Sequence, residues 1–388
     1  MHKSSSARIF ILAISALIVV AQLYIPIPLI GFFANLFAVS PTKAVWVGSA
    51  FGFAYAAGFL IFGPLSDRFG RRALLIPGLF ALAIISICIG FAHSFDQIIA
   101  LRIIQGFVAA TFAPAALAYI SEQLPVEKRA LGIALVSTGF MLAGILGQIY
   151  ASQINFLFGW NWIFWLAGAL YILSGLSVTF VLTEQKAGEH KKPEPLLTFF
   201  HAMLKHLENL KLVKAYLCAF VLLLGFVAMY TGLGPYLTHT FNLSAADMFL
   251  IRLAGIPGML FGPFTGIFIR KYGNRKVLIV GFLIAIIGVL LEGMLPNLPA
   301  IILMSTCFVA GVSISAPALI ANISTTSATN RGAAISLYTF ILFTGAALGS
   351  IMADALMVYG FKTLCLVIMG LLILSIAFFS IQLHKKQS

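Results

Sequence analysis

The sequence predicts an all-α membrane protein: twelve transmembrane helices in two pseudo-symmetric six-helix bundles. Three observations carry that prediction. Twelve long apolar stretches follow one another along the chain. Almost every Lys and Arg falls in alternate gaps between them. Short motifs of the first half return in the second half in register.

Of the 388 residues 61% are hydrophobic and only 9% are charged, against roughly 25% in soluble domains, which leaves too little polar surface to cover a soluble particle. About twenty predominantly apolar residues cross a bilayer core as a helix. Such stretches occupy 8–33, 44–64, 73–93, 97–121, 130–154, 161–183, 213–237, 246–269, 276–295, 299–322, 332–357 and 361–383. The net charge of +13 would otherwise point to nucleic acid, but its placement follows topology. The N-terminal tail, the even-numbered gaps and the C-terminal tail hold 20 of the 24 basic residues, from Lys3 and Arg8 to Lys385 and Lys386. Only Lys43 and Lys362 flank the other ends, and Arg102 and Arg252 fall within spans. Positive charge collects on the cytoplasmic side, so both termini are expected in the cytoplasm and no nucleic-acid partner is expected. Cys88, Cys218, Cys307 and Cys365 all fall within spans, with no Cys-x-x-Cys or Cys/His cluster, so neither a disulfide framework nor a metal site is indicated.

Taken in order, span one is too long and aromatic for a cleaved signal peptide and is expected to be retained. It carries Gln22 and Tyr24 before Pro26 and Pro28. Span two holds Tyr55 and ends in Gly63-Pro64-Leu65-Ser66-Asp67-Arg68-Phe69-Gly70-Arg71-Arg72. Span four contains Arg102 and Gln105, three residues apart and so on one helix face, then Pro114, and ends at Glu122. Span five carries Gln148. Residues 184–213 form a polar segment with Pro193 and Pro195, read as a cytoplasmic linker loop between an N-terminal bundle, 1–183, and a C-terminal bundle, 214–388. Span seven holds Tyr230 and Pro235, span eight Arg252, span nine Glu292, span ten Pro317 and Asn322, and span eleven Asp354. Tyr24 and Tyr230 suit either a cavity or an interfacial aromatic belt. Prolines on these spans suit bends or hinges.

The repeat is visible in three anchors. Gly63 to Gly70 recurs, degraded, as Gly266 to Gly273; Ala113-Pro114-Ala115 recurs as Ala316-Pro317-Ala318; Arg129 and Gly147 recur as Arg331 and Gly349. Parallel repeats with a site between them near the midplane are a secondary-transporter architecture.

On these residues the chain resembles the major facilitator superfamily over essentially its whole length. The segment from Gly63 to Arg72 matches the superfamily signature between spans two and three. Leu101-Arg102-Ile103-Ile104-Gln105-Gly106 is similar to a motif of the twelve-span drug:proton antiporter branch, whose span-five motif is only partly present here: Gly139, Gly144 and Gly147 remain, but Gly144 and Gln148 stand where the pattern has Pro and Gly. The resemblance implies that Asp67 sits against the start of span eleven near Arg331, where a helix N-terminus favours negative charge, and that Gly63, Asp67, Gly70, Arg71 and Glu122 form a conformational latch. It also implies that the Arg102 face of span four points into a central cavity.

Ionisable groups within spans are expensive and functional by default. A substrate or proton pathway is therefore expected among Gln22, Tyr55, Arg102, Gln105, Gln148, Tyr230, Arg252, Asn322 and Asp354. Glu292 and Asp354, near the outer span ends, could snorkel or pair. Spans one, two, five and seven contain no acid, which suits neutral, weakly anionic or amphipathic solutes better than dications. With no phosphate-binding loop there is no ATP site, and with neither Gly-x-Ser-x-Gly nor His-Glu-x-x-His no intramembrane hydrolase is indicated. The expected function is export of a small organic or amphipathic solute by proton antiport and alternating access. The alternative is an importer of a sugar or organic acid by symport or uniport. The partners expected are solute, protons and lipid, without a cofactor, for a monomer in a bacterial inner membrane.

Overall fold

A computed structural model describes residues 5–183, 196–243, 245–327 and 331–381. Among them are twelve helices long and apolar enough to cross a membrane. Spans one to six are Ser5–Leu36, Pro41–Ser66, Arg71–Gly90, Phe95–Gln123, Val126–Phe158 and Trp160–Val181. Spans seven to twelve are Leu210–Phe241, Asp247–Tyr272, Asn274–Met294, Leu298–Thr326, Gly332–Met357 and Phe361–Ser380. Span five runs beyond the predicted 130–154 at both ends.

The two halves pack alike. In the first, span one lies on five, two on four and three on six; in the second, seven lies on eleven, eight on ten and nine on twelve. The halves meet through span two against eleven and, equivalently, span eight against five. The sequence anchors occupy equivalent places. A Cβ at Gly147 would lie 2.8 Å from the Ala21 carbonyl oxygen of span one, and one at Gly349 would lie 2.6 Å from that of Leu224 in span seven. These glycines let helix backbones approach closely, the small-residue packing that membrane bundles use. Gly70 (φ 95°, ψ 151°) and Gly273 (φ 83°, ψ 148°) make the same tight turn, in a backbone region open to glycine.

Three helices depart from regularity. Span one breaks at Pro26 and Pro28, and span four at Ala110–Thr111, three residues before Pro114. Span eight breaks into the pieces Ala245–Leu253, Ile256–Met259, Gly262–Phe264 and Thr265–Tyr272 around Pro257 and Pro263. Broken backbone at membrane depth needs other partners for its freed groups. Span ten supplies them: Thr306 Oγ1 donates to the Ala254 carbonyl at 2.8 Å, and Ser313 Oγ to that of Met259 at 2.8 Å. Pro235 and Pro317, by contrast, lie inside uninterrupted helices.

The linker between the halves is not wholly a loop. Leu196–His206 is a helix, with Met203 buried and Phe199 and Phe200 partly buried, and it packs on spans eleven and two. Its apolar residues recur at helical spacing within an otherwise polar stretch, so one face is covered. Span seven then begins at Leu210, capped by the Asn209 side chain accepting from the Lys211 amide.

Candidate functional site

Between the halves lies a cleft of about 550 Å³, counting its open mouth. Val20 and Tyr24 of span one and Phe140 and Met141 of span five form one wall. The other wall is Leu222, Leu223 and Phe226 of span seven, Met259 of span eight, Val309, Val312, Ser313 and Ala316 of span ten, and Leu342 and Phe343 of span eleven. The side-chain hydroxyls of Tyr24 and Ser313 are its polar groups, and that of Ser313 is engaged by Met259. No charged side chain lines it. Ring contacts cross between the halves beside it: Tyr24 meets Phe226 edge-on at 5.9 Å, and Tyr55 meets Phe343 at 4.7 Å.

Arg102 is placed elsewhere. It is fully buried within the first half, where Nε donates to the Val47 carbonyl at 2.9 Å, Nη2 to that of Gln22 at 2.7 Å and Nη1 to Gln105 Oε1 at 2.7 Å. Its guanidinium also lies over the Phe51 ring, 4.3 Å from the centroid. Gln105 passes the network on to Ser86 Oγ at 2.7 Å. The structure thus joins Gln22, Arg102 and Gln105, but as a brace between spans one, two and four that does not line the cleft. Tyr55 is buried behind Phe343 with its hydroxyl unpartnered.

A second, smaller cleft of about 290 Å³ lies where span five meets spans seven, eight and ten. Gln148, Tyr230, Arg252 and Ser305 supply its polar lining. Gln148 donates back to the Gly144 carbonyl at 2.7 Å. Arg252 donates to Ser152 Oγ at 2.6 Å, across the two halves. Tyr230 therefore sits in a cleft between helices. Asn322 and Asp354 line neither cleft and are half-buried on spans ten and eleven. Glu292 does not snorkel: it is 1% exposed, with neither carboxylate oxygen bonded.

At the basic end, Arg71 clasps Glu122 through both carboxylate oxygens, Nη2 to Oε1 at 2.7 Å and Nε to Oε2 at 3.2 Å, and also donates to Ser66 Oγ at 2.7 Å. This ties the turn after span two to the end of span four within one half. Arg72 donates to the Thr179 carbonyl at 2.8 Å. Across the halves, a Cβ at Gly63 would lie 2.6 Å from Ser336 Oγ of span eleven. The side chains of Asp67 and Arg331 lie outside the described residues, and with them the Asp67 contact.

Near the other end, Ser49 Oγ donates to the Ala347 carbonyl at 2.8 Å. Spans two and eleven therefore touch along most of their length. Two six-helix repeats enclosing a cleft on their shared axis are a transporter geometry, and comparison with known proteins decides which one. A model of the Major Facilitator Superfamily matches residues 12–291 and 215–388. The chain belongs to the Major Facilitator Superfamily.

Among the relatives of this chain, an uncharacterized transporter of Buchnera aphidicola subsp. Baizongia pistaciae is 25% identical over 330 residues, covering 84% of this chain and 81% of that relative. Multidrug resistance protein 2 of Bacillus subtilis is 26% identical, covering 81% and 82%. Multidrug resistance protein MdtG of Proteus mirabilis is 27% identical, covering 61% and 60%. The fold matches the crystal structure of a bacterial homolog of the human lysosomal transporter Spinster, inward-facing and unoccupied, with a TM-score of 0.73 at 18% identity over 97% of both chains.

Sequence reasoning missed three parts of these sites. The apolar lining was hidden because 35 Phe and 11 Met are spread through the chain. Ser152 gives no signal on its own. The breaks in span eight were signalled by Pro257 and Pro263, but the span-ten hydroxyls that satisfy the broken backbone meet it only once folded.

Proposed function

We propose that this member of the superfamily exports small organic or amphipathic solutes by proton antiport and alternating access. The observation that supports it most is the lining of the central cleft: aromatic, aliphatic and Met side chains with two hydroxyls and no charge. A sugar leaves many hydroxyls to be matched, and this wall offers too few donors and acceptors for them. Apolar rings and thioethers adapt to varied hydrophobic solutes instead. The names of multidrug relatives point the same way. One chain encloses the cleft, which supports the monomer as the working unit, and the basic gaps support a seat in a bacterial inner membrane with both termini inside.

In this reading the halves rock about the cleft. Contacts between spans two and eleven and between five and eight form and break at opposite ends in turn. The turn held by Gly63, Gly70, Arg71 and Glu122, with Asp67, acts as the latch at the cytoplasmic end. The test is transport of a lipophilic dye by protein in inside-out vesicles. Phe226→Ala and Phe343→Ala are expected to raise KM several-fold with expression unchanged, and a protonophore is expected to stop accumulation. Uptake of a sugar or organic acid into right-side-out vesicles, unaffected by those two substitutions, would overturn the reading.

A further inference from the structure

The charge missing from the central cleft stands about one helical turn away from it. Along span seven the lining passes from Phe226 to Tyr230, and along span ten from Val309 to Ser305, each step keeping to one helix face. Phe226 and Tyr230 touch, with ring centroids 5.1 Å apart. On span five Gly144 lies at the join. A Cβ there would meet Phe226 at 3.1 Å and Met259 at 3.2 Å, so this position adds no side chain between the two clefts.

The smaller cleft gathers donors. Gln148, Tyr230, Arg252 and Ser305 come to it from spans five, seven, eight and ten, and none of its lining residues is acidic. Neither Asp247, exposed at the start of span eight, nor Glu292 of span nine is among them. Arg252 stands in the last turn of the piece Ala245–Leu253, just before the break. At that break Gly255 leaves room for Tyr230, whose hydroxyl oxygen would lie 2.6 Å from a Cβ there. A guanidinium offers five N–H donors. Arg102 spends three nitrogens on protein acceptors, whereas among the described residues Arg252 has the neutral hydroxyl of Ser152, at 2.6 Å. Charged side chains within a span pair with an opposite charge or mark a path for one, and here the protein supplies no opposite charge.

We infer that the smaller cleft is a carboxylate subsite and that the solute is an amphipathic organic acid. Its apolar body fills the central cleft, and its carboxylate lies on Arg252. The guanidinium fork matches a carboxylate with two parallel hydrogen bonds. The hydroxyls of Tyr230 and Ser305 and the free N–H of Gln148 are donors for the remaining lone pairs. The inference deepens the reading given above and rests on it for the direction of transport.

The test uses the full chain in nanodiscs and equilibrium dialysis of labelled phenylbutyrate, counted above empty discs. The methylenes of this probe span about the 5.4 Å of one helical turn. Phenylbutyramide and phenylbutylamine carry the same body with a neutral and a cationic head. Wild type is expected to bind the acid about ten-fold tighter than the amide, and the amine more weakly than either. Arg252→Gln is expected to bind acid and amide alike, at the wild-type affinity for the amide. Phe226→Ala is expected to weaken both and keep their ratio. Ser152→Ala removes the bond between the halves but not the charge, and is expected to keep the ratio too. Equal binding of acid and amide by wild type overturns the subsite. So does a folded Arg252→Gln protein that keeps the preference or loses both ligands together. Should Arg252→Gln fail to fold, Ser152→Ala decides: a ratio lost there belongs to the tie between the halves and overturns the subsite. A preference for the acid in a protein that moves no protons would remove antiport and leave the subsite standing. Proton-coupled export of neutral dyes without any head-group preference would remove the subsite alone.

Discussion

Arg102 holds spans one, two and four together with three strong donors, and removing it strands the Gln22 carbonyl, which Pro26 leaves without a helix partner, and takes a partner from Gln105 Oε1 in a dry core. Each buried group left without a partner costs about 1–3 kcal/mol. Arg102→Ala is therefore expected to lose several-fold that of an ordinary surface change, seen as a marked fall in Tm of the purified protein. Arg102→Lys is expected to recover little of it, because a point charge cannot reproduce the planar fork. Normal thermal stability with transport lost would return Arg102 to the solute path. The pairing of Arg102 with Gln105 was legible, since residues three apart share a helix face. Gln22, 80 positions away in sequence, had no such signal linking it to them. The clasp of Arg71 on Glu122 was legible only through the resemblance, because nothing local joins the end of span four to the turn after span two.

Helices were legible where apolar length alone decides them, and less so where polarity and helicity coexist. Leu196–His206 folds as a helix because one short apolar face finds spans two and eleven, a tertiary effect that composition hides. The broken span eight was hidden for the opposite reason: its hydropathy is continuous, and only Pro257 and Pro263 betray the interruptions. The repeat makes a quantitative prediction for the helices themselves. Gly147 and Gly349 hold equivalent crossings, of spans five on one and eleven on seven. Gly147→Val and Gly349→Val should each cost about 1–3 kcal/mol through overpacking, with similar falls in Tm. A large effect at one and none at the other would contradict the equivalence of the two crossings.

At the scale of the whole molecule, twelve spans, two halves and their register follow from hydropathy and three repeated anchors, because bilayer thickness and duplication leave a periodic mark. The cleft left no such mark. Its wall is built from the same Phe, Met, Leu and Val that face lipid elsewhere, and only packing separates the two uses. Charge followed the same rule: Arg102, Arg252 and Glu292 stand out in the sequence as ions in apolar spans, but brace, cross-half tie and buried acid are distinctions that packing makes. The central claim is that solute and proton move in opposite directions through one cleft. It is tested most directly in proteoliposomes with no imposed gradient, by adding a lipophilic solute on one side and following pH inside with a trapped dye. The account predicts proton movement against the solute flow, abolished by protonophore and absent from protein-free vesicles. Solute movement with no accompanying proton flux, or with protons travelling in the same direction, would contradict it.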